Sequence, residues 1–398
     1  MESLSFKISD KVNFQKQLIN YFKNSKNVFF LNSNNDDDNI IAISESDELL
    51  PDNWQFGFVS YDYKNSIEKL TSNNFDGVNF PDYFFFTPTL LFQLSVTNVE
   101  VFYNNTIYSN QAVKNIIQEV ERISDENGAN ISIKIKSRLS KSEYIENVKK
   151  LKGHIQKGDL YEVNFCQEFY AEDVELNPLQ LYFKLNEKSP TPFSCFVKHN
   201  DKYLLCSSPE RFIKKTGNKI ISQPIKGTIK RGKDFEDDER LKTELLEDGK
   251  ERSENIMIVD LVRNDLSKIA KKDSINVDEL CEIYTFPQVH QMISTVSGEL
   301  DDKVDFQSIL NATFPMGSMT GAPKIRAMKL IEKYEISKRG LYSGTVGYID
   351  SFGNFDFNVV IRSILYNKSE KYLSFFVGGA ITNLSDPEKE YAECLLKA

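Results

Sequence analysis

The order of strand-like and helix-like segments constrains the fold of this chain more than any other feature. Three segments rich in aromatic and β-branched residues follow one another near the C-terminus, at 341–350, 355–366 and 371–382. Helical patterns are grouped elsewhere. They occur in a charged stretch at about 235–270, following the glycine-rich loop that opens the segment 314–335, and from Asp386 to the C-terminus. Runs of strands beside blocks of helices are typical of an α+β sheet sandwich rather than a doubly wound fold.

The first 130 or so residues are predicted to form a variable, strand-rich region. Aromatic and β-branched residues predict strands at 27–33 and 54–63, and prolines interrupt a third strand region at 77–96. A helix is predicted at 109–124, and DENGAN (125–130) is the best candidate for a linker.

A helix is predicted to open the second part of the chain, from about residue 140. Ser140 or Ser142 is its expected N-cap. Its apolar residues repeat at helical spacing, at Tyr144, Val148, Leu151 and Ile155.

The composition argues against several classes of protein. The chain carries a net charge of −9 and begins without the basic and apolar segments of a secretory signal. No apolar run approaches the roughly 18 residues of a membrane helix, and nucleic-acid binders usually carry a basic face. The five cysteines include no CxxC pair and are expected to be buried, reduced thiols. We therefore expect a cytoplasmic protein that binds neither nucleic acid nor membrane.

Two pairs of glutamates occur at helical spacing. Glu251 and Glu254 lie in KERSEN, and Glu390 and Glu393 lie in the final helix, where Asp386 is the expected N-cap. Residues three apart share one helix face. Mg²⁺ prefers such oxygen ligands and typically keeps waters while bridging to an anionic substrate. Acidic residues at this spacing usually form a solvated face, so a magnesium site follows only if the two helices meet.

Lys226 lies in PIKGT, a context that favours a turn or a strand end over a solvated helix face. A desolvated lysine has a lowered pKa and a nucleophilic amine. Glu210 follows a Ser-Ser-Pro turn, and a carboxylic acid held protonated near the lysine could serve as a general acid. An ordinary surface lysine beside a turn is the alternative interpretation.

Two glycine-rich segments could present backbone N–H groups to an anion. PMGSMTGAPKIRAM (315–328) leads from a loop into a helix, and VGGAIT (377–382) lies at a strand end. The first is not a P-loop, because neither GxxxxGKS nor GxxxxGKT is present. Taken singly, each segment is more often a turn.

Together these segments closely resemble the chorismate-utilising family, which comprises anthranilate synthase component I, aminodeoxychorismate synthase component I, and the isochorismate and salicylate synthases. The motifs, in order, are GDLYEVNFCQ, SSPERFI, PIKGTIKRG, KERSENIMIVDLVRNDL, VHQMISTVSG, FPMGSMTGAPKIRAM, YSGTVGYID, VIRS, GGAIT and DPEKEYAECLLKA. The resemblance implies a large sandwich of two mainly antiparallel β-sheets flanked by helices. It is strong over 140–398, the expected chorismate-binding catalytic region. It is loose over 1–130, the variable region expected to be integrated into the sandwich.

The resemblance implies a role for each residue that matches a family motif. Glu254 and Glu393 are expected to bind Mg²⁺ directly, and Glu251 and Glu390 directly or through water. The metal would hold the ring carboxylate of chorismate. His290, in VHQ, is expected near the C4 hydroxyl. The other expected contacts of the substrate are Arg362, Tyr348, Lys397, Thr228, Gly378 and Gly379.

Lys226 distinguishes the branches of the family. Anthranilate synthases usually have PIAGT, whereas PIKGT and Asn255 in SENIM resemble the aminodeoxychorismate synthase branch. There the lysine is expected to attack C2 of chorismate while Glu210 assists departure of the C4 hydroxyl. Ammonia then adds at C4 and expels the lysine. Glu162 departs from the pattern, because water-using members usually have lysine there and aminating members glutamine. The role of Glu162 is therefore open, and Asn164 is expected to help shape the same pocket.

Ammonia is expected to come from another protein or from free ammonium. No cysteine has the GxCxG context of a glutamine amidotransferase nucleophile, and no lyase region is expected after the last motif. We predict a heterodimer with a glutaminase subunit. Two alternatives are anthranilate synthase component I and a non-catalytic regulatory or scaffolding relative. The intact set of Glu210, Lys226, Glu254, His290 and Glu393 argues against the latter.

Overall fold

The computed structural model describes residues 1–35, 39–123 and 133–398. The strands in this part of the chain are β1 (Glu2–Lys7), β2 (Asn27–Asn32), β3 (Asn39–Ser44), β4 (Gln55–Val59), β5 (Tyr83–Phe86), β6 (Leu90–Leu94), β7 (Asn98–Tyr103), β8 (Lys136–Ser137), β9 (Glu162–Ala171), β10 (Phe193–His199), β11 (Lys202–Ser208), β12 (Arg211–Thr216), β13 (Lys219–Gln223), β14 (Ile225–Lys230), β15 (Asn276–Thr285), β16 (Val289–Glu299), β17 (Gly321–Ala322), β18 (Thr345–Ile349), β19 (Phe355–Asn358), β20 (Ser363–Asn367) and β21 (Tyr372–Ile381). The α-helices are α1 (Lys11–Tyr21), α2 (Lys64–Glu68), α3 (Asn110–Val120), α4 (Lys141–Gln156), α5 (Pro178–Lys188), α6 (Phe235–Glu247), α7 (Gly249–Ser267), α8 (Phe306–Thr313), α9 (Lys324–Tyr334) and α10 (Pro387–Lys397).

The strands form two sheets in which paired neighbours are antiparallel. The larger sheet has the order β1-β7-β6-β3-β2-β10-β11-β20-β21-β9-β17, and β8 also pairs with β9. The smaller sheet has the order β14-β16-β13-β12-β19-β18-β4-β5, and β15 also pairs with β16. The predicted α+β fold with two mainly antiparallel sheets is therefore confirmed.

The main hydrophobic core contains residues of both sheets. Phe29 and Leu204 of the larger sheet share it with Phe58 and Phe357 of the smaller one. A second core contains side chains of the larger sheet together with residues of α1, α3 and α5. Strand β2 contributes side chains to both cores. Its sequence is therefore an uninterrupted run of apolar residues rather than an alternation of apolar and polar residues.

Two of the places where the chain passes from one sheet to the other are adjacent, and one of them corrects a prediction. The segment 355–366 was expected to be a single strand, but β19 lies in the smaller sheet and β20 in the larger one. Glu210 lies at the second crossing, between β11 and β12. The two crossings bond to each other, because Val359 N donates to Glu210 O at 3.0 Å and Ser207 N donates to Arg362 O at 3.1 Å. Both crossings thus meet where the two sheets exchange strands.

The predicted helices are mostly present, with one break. Helices α3 and α4 begin after the side-chain N-caps Ser109 and Ser140, and Ser140 forms a full capping box. The single helix expected at 235–270 is wrong: Asp248 ends α6 and caps α7, because its carboxylate accepts from the first backbone N–H groups of α7. Strand β3 was not predicted.

Two other predictions concern regions and membranes. The candidate linker 125–130 lies outside the described residues. The division into regions 1–130 and 140–398 stays a prediction. Within the described ranges, no helix combines the length and the apolar content required to span a bilayer.

Arg339 is a buried cation that joins three parts of the catalytic region. Its guanidinium donates to both carboxylate oxygens of Glu335, to the carbonyl of Met319 at 2.7 Å, and to the carbonyl of Asn164 at 2.8 Å. Both members of the ion pair are almost fully buried. The pair therefore fixes the glycine-rich loop and β9 against the end of α9.

We predict that Arg339→Met lowers the free energy of unfolding by about 3–5 kcal/mol, because it leaves the Glu335 carboxylate buried without its partner. Urea unfolding followed by circular dichroism measures the change. Arg240→Met on the exposed face of α6 is the control and should change stability by less than about 0.5 kcal/mol. Equal stability of the two variants would contradict the prediction.

Candidate active site

Lys226 joins the two sheets through an ion pair. It lies near the start of β14, and its Nζ donates to Glu162 Oε1, at the start of β9, over 2.7 Å. The two side chains are 11% and 1% exposed. Gly227 has a φ of +89°, and the pairing of β14 with β16 shifts register around it. Such a bulge re-aims a side chain, which accounts for a strand lysine that points into the protein.

The expected fall in the pKa of Lys226 is not found. Burial disfavours the charged amine, but the Glu162 carboxylate, assisted by Glu254 and Glu210, outweighs it and raises the pKa of Lys226. The amine is therefore a desolvated ammonium at neutral pH, and it must lose a proton before it can act as a nucleophile.

Glu210 is a second buried carboxyl group whose charge interacts with Lys226. Burial raises the pKa of Glu210 to about 7, although Ser318, Lys226 and Arg362 each favour the charged form. Ser318, from the glycine-rich loop, donates its hydroxyl to Glu210 Oε1 over 2.6 Å. A substantial fraction of Glu210 is therefore protonated at neutral pH and able to donate a proton.

The glutamate pairs of α7 and α10 are brought together around Lys250. Burial disfavours the charge on Lys250, but its pKa is raised by attraction to Glu254, Glu251, Glu390 and Glu393. Desolvation raises the pKa of Glu251, with a smaller contribution from the charge of Glu393. The carboxylates of both helices are therefore close enough to Lys250 to interact with its charge, and the magnesium site stays a prediction.

This acidic cluster has the donor chemistry of a divalent-cation site. Glu254 Oε1 is buried without a hydrogen-bond partner, and burial raises the pKa of Glu254 to about 7. Across the described ranges, no three acidic, histidine or cysteine side chains are gathered closely enough to coordinate a metal as they stand. Lys250 Nζ lies 3.8 Å from Glu254 Oε1, and its side chain is 46% exposed. A hard cation fits this donor set if Lys250 turns outward to solvent.

The second glycine-rich segment lies beside the α10 glutamates. Lys397 Nζ contacts Glu393 Oε1 at 2.7 Å and the carbonyl of Gly378 at 3.3 Å. A Cβ at Gly379 would lie 3.5 Å from Glu390 Oε2, whereas one at Gly378 would meet Phe165 O of β9 at 2.3 Å. Gly379 therefore lines the acidic cluster, and Gly378 is required for the close approach of β21 to β9.

His290 is not brought to Lys226. Its Nε2 bonds to Asp238 of α6 at 2.9 Å, and its Nδ1 bonds to Thr285 of β15 at 2.9 Å. The neighbouring Gln291 has the opposite orientation: it donates to Thr228 Oγ1 over 3.4 Å, and its Oε1 is buried without a partner. Because alternate residues of a strand point to opposite faces, Gln291 rather than His290 shares the face of Thr228.

Tyr348 and Arg362 occupy different surroundings. Tyr348 packs against Trp54 and Phe56, with ring centroids 5.3 and 6.0 Å apart, so none of these contacts links it to Lys226 or the acidic cluster. Arg362 is exposed at the crossing into β20, with a left-handed φ of 49°, and its charge acts on Glu210. Arg362 therefore lies beside the site, whereas Tyr348 belongs to the aromatic packing of the smaller sheet.

Curated relatives include both aminating branches. The chain is 41% identical over 262 residues to a probable chloroplastic aminodeoxychorismate synthase of Oryza sativa, matching 65% of this chain but only 29% of that protein. It is 31% identical to aminodeoxychorismate synthase component 1 of Bacillus subtilis, matching 89% of this chain and 78% of the relative. It is 34% identical to anthranilate synthase component 1 of Aquifex aeolicus, matching 88% of this chain and 74% of the relative.

A solved structure and a family model agree with these relatives. The crystal structure of anthranilate synthase component I from Streptococcus pneumoniae superimposes with a TM-score of 0.78 at 28% identity, covering 90% of this chain and 82% of that one. The model of the chorismate binding enzyme family matches residues 7–398. The chain therefore belongs to the family of chorismate binding enzymes.

Proposed function

We propose that this chain catalyses the amination of chorismate to 4-amino-4-deoxychorismate, the reaction of aminodeoxychorismate synthase component I. The observation that carries the proposal is the buried Lys226 amine, which is paired with the Glu162 carboxylate and interacts electrostatically with the protonatable Glu210. A site that adds ammonia or water directly to the ring has no need of a second amine at this position. Relatives named for this reaction, including one matched over most of both chains, support the proposal.

The proposed mechanism uses the Lys226 amine as a nucleophile and the Glu210 carboxyl group as a general acid. The deprotonated Lys226 amine attacks C2 of chorismate, and the ring double bonds shift as the bond from C4 to its hydroxyl breaks. Glu210 donates its proton to that hydroxyl, which leaves as water. Ammonia then attacks C4, the double bonds shift back, and the bond between C2 and Lys226 breaks. Two successive displacements place the new amine at C4 and regenerate free Lys226.

We propose that Mg²⁺ binds at the acidic cluster, with Glu254 and Glu393 as direct ligands. Glu251 and Glu390 bind it directly or through water. When bound, Mg²⁺ supplies positive charge that pairs with the ring carboxylate of chorismate. Lys397 and the backbone of Gly379 lie beside the same cluster and are positioned to hold the remaining carboxylate of the substrate.

We further propose that ammonia is delivered by a glutaminase subunit in a heterodimer. All five cysteines are buried and unpaired, so none of them has the exposed position of a glutamine-hydrolysing nucleophile. The purified chain should therefore use ammonium but not glutamine. Equal use of the two by the chain alone would overturn the proposal.

Anthranilate synthase component I is the second candidate, favoured by the match to the Aquifex aeolicus relative over most of both chains. Product identity separates the two reactions. The purified chain is incubated with chorismate, ammonium and Mg²⁺, and the products are separated and identified by mass. Aminodeoxychorismate without anthranilate fluorescence is the expected result, and anthranilate as the main product would overturn the proposed function.

Glu210 gives a prediction about pH. A general acid acts only while it holds its proton, and Glu210 holds it up to about pH 7. At saturating Mg²⁺, which removes the titration of Glu254 from the profile, turnover should fall about tenfold per pH unit above neutrality. Glu210→Gln should lower turnover by at least about a hundredfold and abolish that fall. An unchanged pH profile in Glu210→Gln would contradict the assignment.

A further inference from the structure

The ion pair between Lys226 and Glu162 leaves one proton unaccounted for in the steps above. Lys226 is a buried ammonium, and an ammonium has no lone pair with which to attack carbon. Its proton must move to a base before each turnover and return when the lysine is expelled. Solvent is poorly placed to accept it, because the two side chains are 11% and 1% exposed.

The contacts around Lys226 single out one acceptor. The carboxyl groups that act on the amine are those of Glu162 from β9, of Glu251 and Glu254 in the acidic cluster of α7, and of Glu210 from the crossing before β12. Only Glu162 accepts a hydrogen bond from Nζ, at 2.7 Å. Glu210 holds a proton of its own near neutrality, and Glu254 belongs to the acidic cluster.

The free oxygen of Glu162 also suits a base. Its Oε2 is buried and has no hydrogen-bond partner among the described residues. Its Oε1 already accepts the hydrogen bond from Lys226 along which the proton would move.

We propose that Glu162 is a catalytic residue that takes the proton from Lys226 before the amine attacks the ring and returns it after the amine is expelled. This inference rests on the proposed function. The proton balance closes over a turnover. Glu162 gains a proton from Lys226 and returns it to the same nitrogen, whereas Glu210 gives a proton to the leaving water and regains one from the new ammonium at C4. Glu162 therefore exchanges a proton only with the lysine nitrogen, Glu210 exchanges one with the leaving oxygen and then with the new nitrogen, and neither step needs solvent.

The test is the ratio of wild-type to Glu162→Gln turnover as a function of pH, with saturating chorismate, ammonium and Mg²⁺. Glutamine keeps the shape and accepts a hydrogen bond from Lys226 but is not a base. Transfer within the ion pair does not depend on pH, whereas in Glu162→Gln the lysine must lose its proton to solvent. Loss of the Glu162 charge also lowers the pKa of Lys226, because that charge opposes the effect of burial. The ratio should therefore be largest at acid pH, shrink by about tenfold per pH unit while the lysine of the variant is protonated, and level off above the pKa of that lysine. Titration of Glu210 cancels in the ratio.

Three further measurements separate a chemical role from a structural one. Glu162→Asp restores a carboxylate, so the ratio of wild-type to Glu162→Asp turnover should not depend on pH. Adding Glu162→Gln to Lys226→Ala should cause no further loss, because the base acts only through the lysine. Glu146→Gln on the exposed face of α4 is the matched control and should leave turnover unchanged.

A ratio that stays constant with pH, or an additive loss in the double variant, would overturn the inference while leaving the proposed function intact. Failure of the wild-type chain to form aminodeoxychorismate would instead overturn the proposed function and the inference with it.

Discussion

Lys226→Ala is expected to lower aminodeoxychorismate formation at least about a thousandfold while chorismate still binds. The reason is chemical, since the substitution removes the amine that donates to Glu162 and interacts electrostatically with Glu210. The proposed contacts of the substrate carboxylates lie at α7, α10 and β21, and they remain. Turnover is measured by product mass, and chorismate binding by isothermal titration calorimetry.

Lys226→Ala also leaves the Glu162 carboxylate buried without its partner, which destabilises a fold by several kcal/mol. A second variant, Lys226→Gln, keeps a hydrogen bond to Glu162 without a nucleophilic amine and should lose the same activity with a smaller loss of stability. Lys230→Ala, at the exposed end of β14, is the control and should retain full activity. Turnover by Lys226→Gln within about tenfold of the wild-type rate would refute the nucleophilic role.

Glu254→Ala and Glu393→Ala are expected to weaken Mg²⁺ binding and turnover together, each by about a hundredfold or more. Each variant removes one carboxylate from the cluster that surrounds Lys250. Mn²⁺ binding measured by electron paramagnetic resonance without substrate gives the affinity independently of catalysis. The concentration of Mg²⁺ that gives half-maximal activity should rise in parallel.

Glu388→Ala is the matched control for these variants, because Glu388 lies in the first turn of α10 and pairs with Lys141 at the surface. It should leave metal affinity unchanged. Full activity of Glu254→Ala and Glu393→Ala at ordinary Mg²⁺ concentrations would remove both residues from the metal site.

Local patterns predicted much of this molecule. The spacing of three residues between paired glutamates places each pair on one helix face, and the structure adds that the charges of both pairs act on Lys250. The Ser140 cap of α4 could be predicted because a capping side chain lies only a few residues along the chain from the backbone N–H that donates to it. The α+β class could be predicted from the order of strand-like and helix-like segments, because that order can be recognised without knowing which strands pair.

Other features depend on contacts between segments that are distant in the sequence, so local sequence patterns could not predict them. Segment 355–366 has the same residue types on both sides of the crossing, and only the partners of β19 and β20 show that it changes sheets. His290 and Gln291 differ by one position, and a shift of one residue on a strand reverses the face. The pKa of Lys226 depends on Glu162, which is 64 residues away in the sequence.

The most direct test of the central claim is a search for the covalent intermediate. Wild-type enzyme with Mg²⁺ and chorismate, but without ammonia, is quenched in acid, digested and analysed by mass spectrometry. We predict a peptide whose mass has increased by chorismate less one water, with the addition on Lys226, and loss of the adduct when ammonium is added before the quench. Rapid turnover to aminodeoxychorismate with an unmodified Lys226 under every quench condition would contradict it.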